Sequence, residues 1–176
     1  MAETAEAQLV SGCRSGRRDA FDQLVSAHYD RLHRLAYTMT GNADDARDLT
    51  QETFLAAVKS MPNFRGESKL STWLISVMRN QFTMYLRGRR KWRHQPIEKA
   101  EDRPQPPPEE PIEPALKSVL DRMKDLPEDL RTALVLFYVD GLKYTEIAEA
   151  MACPIGTVRS RLFDARERLK KLVVTT

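Results

Sequence analysis

Seven of the ten prolines in this chain fall within one stretch, PIEKAEDRPQPPPEEPIEP, residues 96–114. Each proline fixes φ and removes a backbone donor, so the stretch can hold neither a helix nor an inner strand. It reads as an extended linker, and fully stretched it spans roughly 60 Å. The chain is thereby divided into an N-terminal part, 1–95, and a C-terminal part, 115–176. Charge follows the same division: the net balance is +5 over residues 1–95, −4 over the linker and +2 over residues 115–176. Two basic parts flanking an acidic tether suit a polyanionic partner, with the tether held off that partner by its own charge.

On both sides of the linker the apolar period is helical, and no strand alternation is visible. Phe21, Leu24, Val25, Leu32, Leu35, Ala36 and Met39 form a stripe that stops at Gly41-Asn42. A second helix is expected from about Asp44 to Met61, closed by Pro62. A third begins near Ser68 or Ser71, either of which could act as its N-cap, and runs to about Gly88. Beyond the linker, helices are expected near 115–125, over Pro127–Val139, over Tyr144–Met151 and over Ile155–Leu172. The fold class is all-α, two small helical domains.

The last two helices are separated by a few residues and the second is basic, which is the form of a helix-turn-helix. On a wheel, Val158, Leu162, Ala165, Leu169 and Leu172 share the buried sector. Ser160, Phe163, Asp164 and Glu167 lie opposite. Arg159, Arg166 and Lys170 line one flank; Thr157, Arg161 and Arg168 line the other. A helix in a major groove faces bases along its centre and a phosphate wall on each side, so this cross-section fits DNA. A solvated helix whose arginines pair with Asp164 and Glu167 is the plainer alternative.

In the N-terminal part, Asp45, Asp48 and Glu52 fall on one helical stripe that ends at Leu55. The stripe resembles a protein-docking surface, although a solvated face would look the same. Further on, RNQFTMYLRGRRKWR (79–93) carries six cations and no acid, interleaved with Phe82, Tyr85 and Trp92. Cations with aromatic faces suit distorted or single-stranded nucleic acid, while Phe82 and Tyr85 could equally be core. Trp73 and Leu74 are expected inside. Cys13 and Cys153 are far apart and read as apolar filler in a reducing compartment. No metal or cofactor is expected: the histidines have no ligand or base partners and no Gly-rich phosphate loop exists. With no long apolar run, membrane insertion is not expected and a cytoplasmic location is.

Taken in order, DARDLTQETFLAAV, FRGESKLSTWL, LPEDLRTALVLFYVDGLKYTEIAEAM and CPIGTVRSRLFDARERL resemble a bacterial RNA polymerase sigma factor of the extracytoplasmic-function group. The resemblance implies a non-catalytic subunit that binds core RNA polymerase, through its β′ and β subunits, and directs it to promoter DNA. Residues 1–95 would bind polymerase and the −10 element, and residues 115–176 the −35 element. Asp45, Asp48, Gln51, Glu52 and Leu55 would dock on the β′ clamp helices. Lys69, Arg79, Asn80, Arg87, Arg89 and Arg90 would meet the −10 DNA, with Asn80 placed to capture a flipped base. Thr157, Arg159, Ser160, Arg161, Phe163, Asp164 and Arg166 would serve the −35 element. An anti-sigma factor is the implied inhibitor. The linker matches the task, since elements about 17 base pairs apart lie about 58 Å apart along the duplex. Asp164 departs from the pattern, standing where relatives often carry a cation. A self-sufficient helix-turn-helix repressor is the runner-up, but no heptad seam for a dimer is present. A small nucleic-acid enzyme lacks a candidate site.

Overall fold

The computed structural model describes residues 2–92 and 122–174, and among them no strand occurs. The linker and its boundaries at 95/96 and 114/115 lie outside the described residues, as does most of the helix expected near 115–125.

The N-terminal helices are α1 (Ala2–Arg14), α2 (Arg18–Thr40), α3 (Ala43–Ser60) and α4 (Leu70–Trp92), with a 3₁₀ turn over Met61–Asn63. Helix α2 ends where its stripe ends: Gly41 takes the left-handed conformation, φ 66°, and donates its N–H to the Tyr37 carbonyl. Asn42 then caps α3, its side-chain oxygen accepting from the Asp45 N–H at 3.0 Å. Helices α2, α3 and α4 pack on one another, and Leu24, Leu35, Met39, Leu74, Met78 and Phe82 fill the space between them almost free of solvent.

Helix α1 is absent from the sequence expectations. It closes on α2 at Gly12, where a Cβ would stand 2.7 Å from that of Ala20. It also corrects the start of α4. Neither Ser68 nor Ser71 caps that helix; Glu6 of α1 does, accepting the Leu70 N–H at 2.9 Å. Helix α4 runs on to Trp92, past the expected end at Gly88, since a glycine inside a helix costs only about 1 kcal/mol.

The C-terminal helices are α5 (Glu128–Leu134), α6 (Tyr144–Ala150) and α7 (Ile155–Val174). The single helix expected over Pro127–Val139 is instead α5 followed by a π-helical turn, Val135–Val139, which ends with the Asp140 N–H on the Val135 carbonyl. Helices α5 and α6 both pack against α7, where Val158, Leu162 and Ala165 are fully buried. In the α6–α7 turn Ala152 adopts φ 48°, the left-handed region that costs a residue with a Cβ about 1 kcal/mol. Ala152→Gly should therefore raise the unfolding free energy of this part by about 0.5–1 kcal/mol in urea titration.

The two parts touch. Helix α6 packs on α4, and the π turn packs on α2.

Candidate functional site

The α3 stripe stands open to solvent. Asp48, Gln51 and Glu52 are exposed, and Leu55 keeps 47% of its surface accessible, with Val58 beside it at 42%. Asp45 differs: it is half-buried and accepts a hydrogen bond from the Tyr85 hydroxyl at 2.8 Å. Of the aromatics interleaved with cations in 79–93, Phe82 and Tyr85 face inward, and the side chain of Trp92 lies outside the described residues. Phe82 is wholly buried core and Tyr85 is a half-buried tie between α4 and α3, its ring stacked 5.9 Å from Phe82. Neither presents a face to an unstacked base. Trp73 packs half-buried against Phe64, ring centres 4.8 Å apart, and Leu74 is inside.

Of the −10 candidates, Asn80 and Arg87 are exposed on α4. Arg89 and Arg90 belong to the same helix, but their side chains lie outside the described residues. Lys69 and Arg79 are both engaged by the C-terminal part. The Lys69 ammonium lies 2.8 Å from a Glu146 carboxylate oxygen, and that hydrogen bond lowers the Glu146 pKa. The other Glu146 oxygen accepts the Lys143 N–H at 3.0 Å, capping α6. Arg79 donates from Nη1 to the Met151 carbonyl at 3.0 Å and from Nη2 to the Asn80 side-chain oxygen at 3.0 Å.

Helix α7 follows the wheel in its first three turns: Val158, Leu162 and Ala165 are buried, while Arg159, Ser160, Phe163 and Asp164 are exposed, Phe163 to 63%; further on, Leu169 and Glu167 are both half-buried. The side chain of Leu172 lies outside the described residues. Two flanking arginines prove to be tied inside the domain. Arg161 is half-buried, 2.5 Å from an Asp129 oxygen. Arg166 donates to the Tyr138 hydroxyl at 2.9 Å and lies over the rings of Phe137 and Tyr138. Both arginines thus hold α7 against α5 and the π turn, which keeps the open residues in register. Thr157 is half-buried, its carbonyl accepting the Ser160 hydroxyl.

Three further contacts between the parts, like those of Lys69 and Arg79, had no signal in the sequence. Arg31 of α2 forks onto Asp140 with Nε–Oδ1 2.7 Å and Nη2–Oδ2 2.6 Å, and the Asp140 side chain is only 3% exposed. Arg131 of α5 is buried and donates to the Met39 carbonyl at 3.0 Å. The Thr83 hydroxyl meets the Glu128 carboxylate. Among the described residues no cluster of His, Cys, Asp and Glu could hold a metal. Burial raises the Cys13 thiol pKa, which disfavours the reactive thiolate. No described helix is long and apolar enough to cross a membrane.

The chain is thus an all-α pair of domains, with an exposed acidic stripe in one and an exposed helix-turn-helix face in the other. Residues 24–92 match the family Sigma-70 region 2, and residues 116–169 match Sigma-70, region 4. The chain belongs to the sigma-70 family. The RNA polymerase sigma-H factor of Pseudomonas aeruginosa is 37% identical, covering 97% of this chain and 95% of that one. The ECF RNA polymerase sigma-E factor of Haemophilus influenzae is also 37% identical, covering 94% and 93%. Such relatives identify an extracytoplasmic-function sigma factor, one that binds core RNA polymerase and directs promoter-specific initiation. Among solved structures, CnrH in complex with the cytosolic domain of CnrY shares the fold, with a TM-score of 0.72 and 23% identity over 97% of this chain and 98% of that one. The sigma factor RpoE from Bartonella quintana, solved with the anti-sigma factor NepR, matches with a TM-score of 0.66 and 28% identity over 87% of this chain and 96% of that one.

Proposed function

We propose that this sigma factor divides its work between three surfaces. The α3 stripe of Asp48, Gln51, Glu52 and Leu55 docks on the β′ clamp of core polymerase, with Asp45 at its half-buried edge. Residues 1–95 also take the −10 element, where Lys69, Arg79, Arg87, Arg89 and Arg90 meet phosphates and Asn80 receives a flipped base. Residues 115–176 take the −35 element through Arg159, Ser160, Phe163 and Asp164, while Thr157, Arg161 and Arg166 support that face. The observation that carries the division is the exposure of Asp48, Gln51 and Glu52 on α3 and of Arg159, Ser160 and Phe163 on α7, two separate sets of unburied side chains.

The protein works in the cytoplasm, where its polymerase is, and catalyses nothing itself. An anti-sigma factor holds it inactive, a reading supported by its likeness to the Bartonella quintana RpoE, which was solved bound to the anti-sigma factor NepR. A gel shift tests the division of labour against a self-sufficient repressor. The sigma factor should shift a promoter duplex tightly only with core polymerase added; a tight shift by the chain alone at physiological salt would favour the repressor.

Asp164 is exposed at the centre of the α7 face. A carboxylate there repels phosphate but accepts a hydrogen bond from cytosine N4 in the major groove. Asp164→Arg should erase about 1–2 kcal/mol of preference at one −35 base pair, read as a changed ranking in promoter selection with the holoenzyme. An unchanged ranking removes Asp164 from base reading.

A further inference from the structure

A cavity of about 780 Å³ lies where the end of α2, the second half of α4 and the segment 124–127 meet, with Arg131 of α5 and Arg168 of α7 also in its wall. Packed interiors leave few voids larger than a water molecule, and a hollow of this volume matches the sites that hold small organic ligands. Of the residues given roles above in docking, −10 binding and −35 binding, only Arg87 lines it. Its charge is uneven: four cations, Arg87, Lys124, Arg131 and Arg168, stand against two carboxylates, Asp125 and Glu128, an excess of two positive charges.

Arg131 dominates the field in this cavity. It is 8% exposed, and its guanidinium donates only to neutral carbonyls, those of Met39, Lys124 and Leu126. Its Nε is buried and has no hydrogen-bond partner among the described residues. Asp125 and Glu128 favour its charge through space, but burial outweighs them. A buried cation that no carboxylate binds keeps its attraction for anions, because little water screens it. Arg87 and Arg168 add to that attraction. Both are exposed, and neither has a hydrogen-bond or ion-pair partner among the described residues.

We propose that this cavity binds a nucleoside phosphate, its phosphates drawn to the arginines and its ring lodged between Leu86 and Pro127. Inorganic phosphate alone would answer the charge and leave most of the volume without contacts. Half-buried Leu86 and exposed Pro127 supply apolar surface on which a ring loses water. The carboxylates then have a use as well. Exposed Asp125, and Glu128 beside the Thr83 hydroxyl that it already engages, can accept hydrogen bonds from ribose hydroxyls. No glycine lines the cavity, so the phosphates meet side-chain cations rather than a cradle of backbone N–H groups.

The test is isothermal titration calorimetry of the purified full chain with ATP, GTP and tripolyphosphate. At least one of the two nucleotides should bind saturably at one site, and at least about tenfold more tightly than tripolyphosphate. Failure of both to bind, or a smaller advantage over tripolyphosphate, would overturn the proposal. R168E changes an exposed side chain on α7 and should weaken nucleotide binding at least about fivefold; a smaller loss would overturn the site. L86W fills the apolar wall and should weaken binding by as much, and a folded L86W that binds as the parent does would remove the ring from this cavity. Should L86W lose its helical circular dichroism, R168E decides alone. K59E makes the same charge change on an exposed residue of α3 that does not line the cavity. Its affinity should stay within about twofold of the parent's; a loss equal to that of R168E would mean general attraction to a basic protein and would overturn the site. Arg87 is left intact in every variant, so the outcome does not bear on its −10 role.

Discussion

Replacing Asp48 and Glu52 together by lysine lowers affinity for core RNA polymerase by at least about a hundredfold, because two attractive charges become repulsive across one interface. Both side chains are exposed on α3, and no hydrogen bond or ion pair within the described residues holds either. Their loss should shift the protein's own stability by no more than about 0.5 kcal/mol. Co-purification with core polymerase and thermal denaturation separate the outcomes. A folded variant that still co-purifies normally would move the docking surface away from α3. Asp45→Ala should behave differently, since it also breaks the tie to Tyr85 and so loosens α4 from α3.

Arg131→Met is expected to be the most damaging single change to the fold. Arg131 is 8% exposed, and burial pushes its guanidinium pKa down. It donates to carbonyls of Met39, Lys124 and Leu126 at 3.0, 2.8 and 3.1 Å, and it lies over the ring of buried Phe82 at 5.8 Å. Methionine keeps the stem and removes every donor, leaving those carbonyls without their partner. The expected loss is about 3 kcal/mol. For a chain of this size that lowers Tm by roughly 6–12 °C. A change under about 0.5 kcal/mol would mean that water replaces the guanidinium, and that the carbonyls do not depend on it.

Local period was legible in the sequence and long-range pairing was not. Helices α2, α3 and α7 followed from apolar spacing because their buried faces repeat every third or fourth residue, and that repeat lies within each helix. Helix α1 escaped because few of its residues pack on the core, chiefly Leu9, Val10 and Cys13. The cap on α4 comes from Glu6, 64 residues earlier, and no local motif encodes such a partner. The wheel placed Arg161 and Arg166 on the flanks of α7 but could not see Asp129 or Tyr138 on neighbouring elements. The same blindness covers Arg31 and Asp140, 109 residues apart, where each charge alone reads as ordinary surface. The π turn was hidden for another reason: a continuous apolar run such as VLFYV carries no periodicity that separates it from an α-helix.

In vitro transcription is the most direct trial of the central claim, that the chain brings core RNA polymerase to chosen promoters. Core polymerase mixed with the purified protein and a genomic promoter library should yield transcripts from a limited promoter set sharing −10 and −35 sequences, and none without the protein. Transcripts that are absent, or that start at the same sites with and without it, would contradict the account.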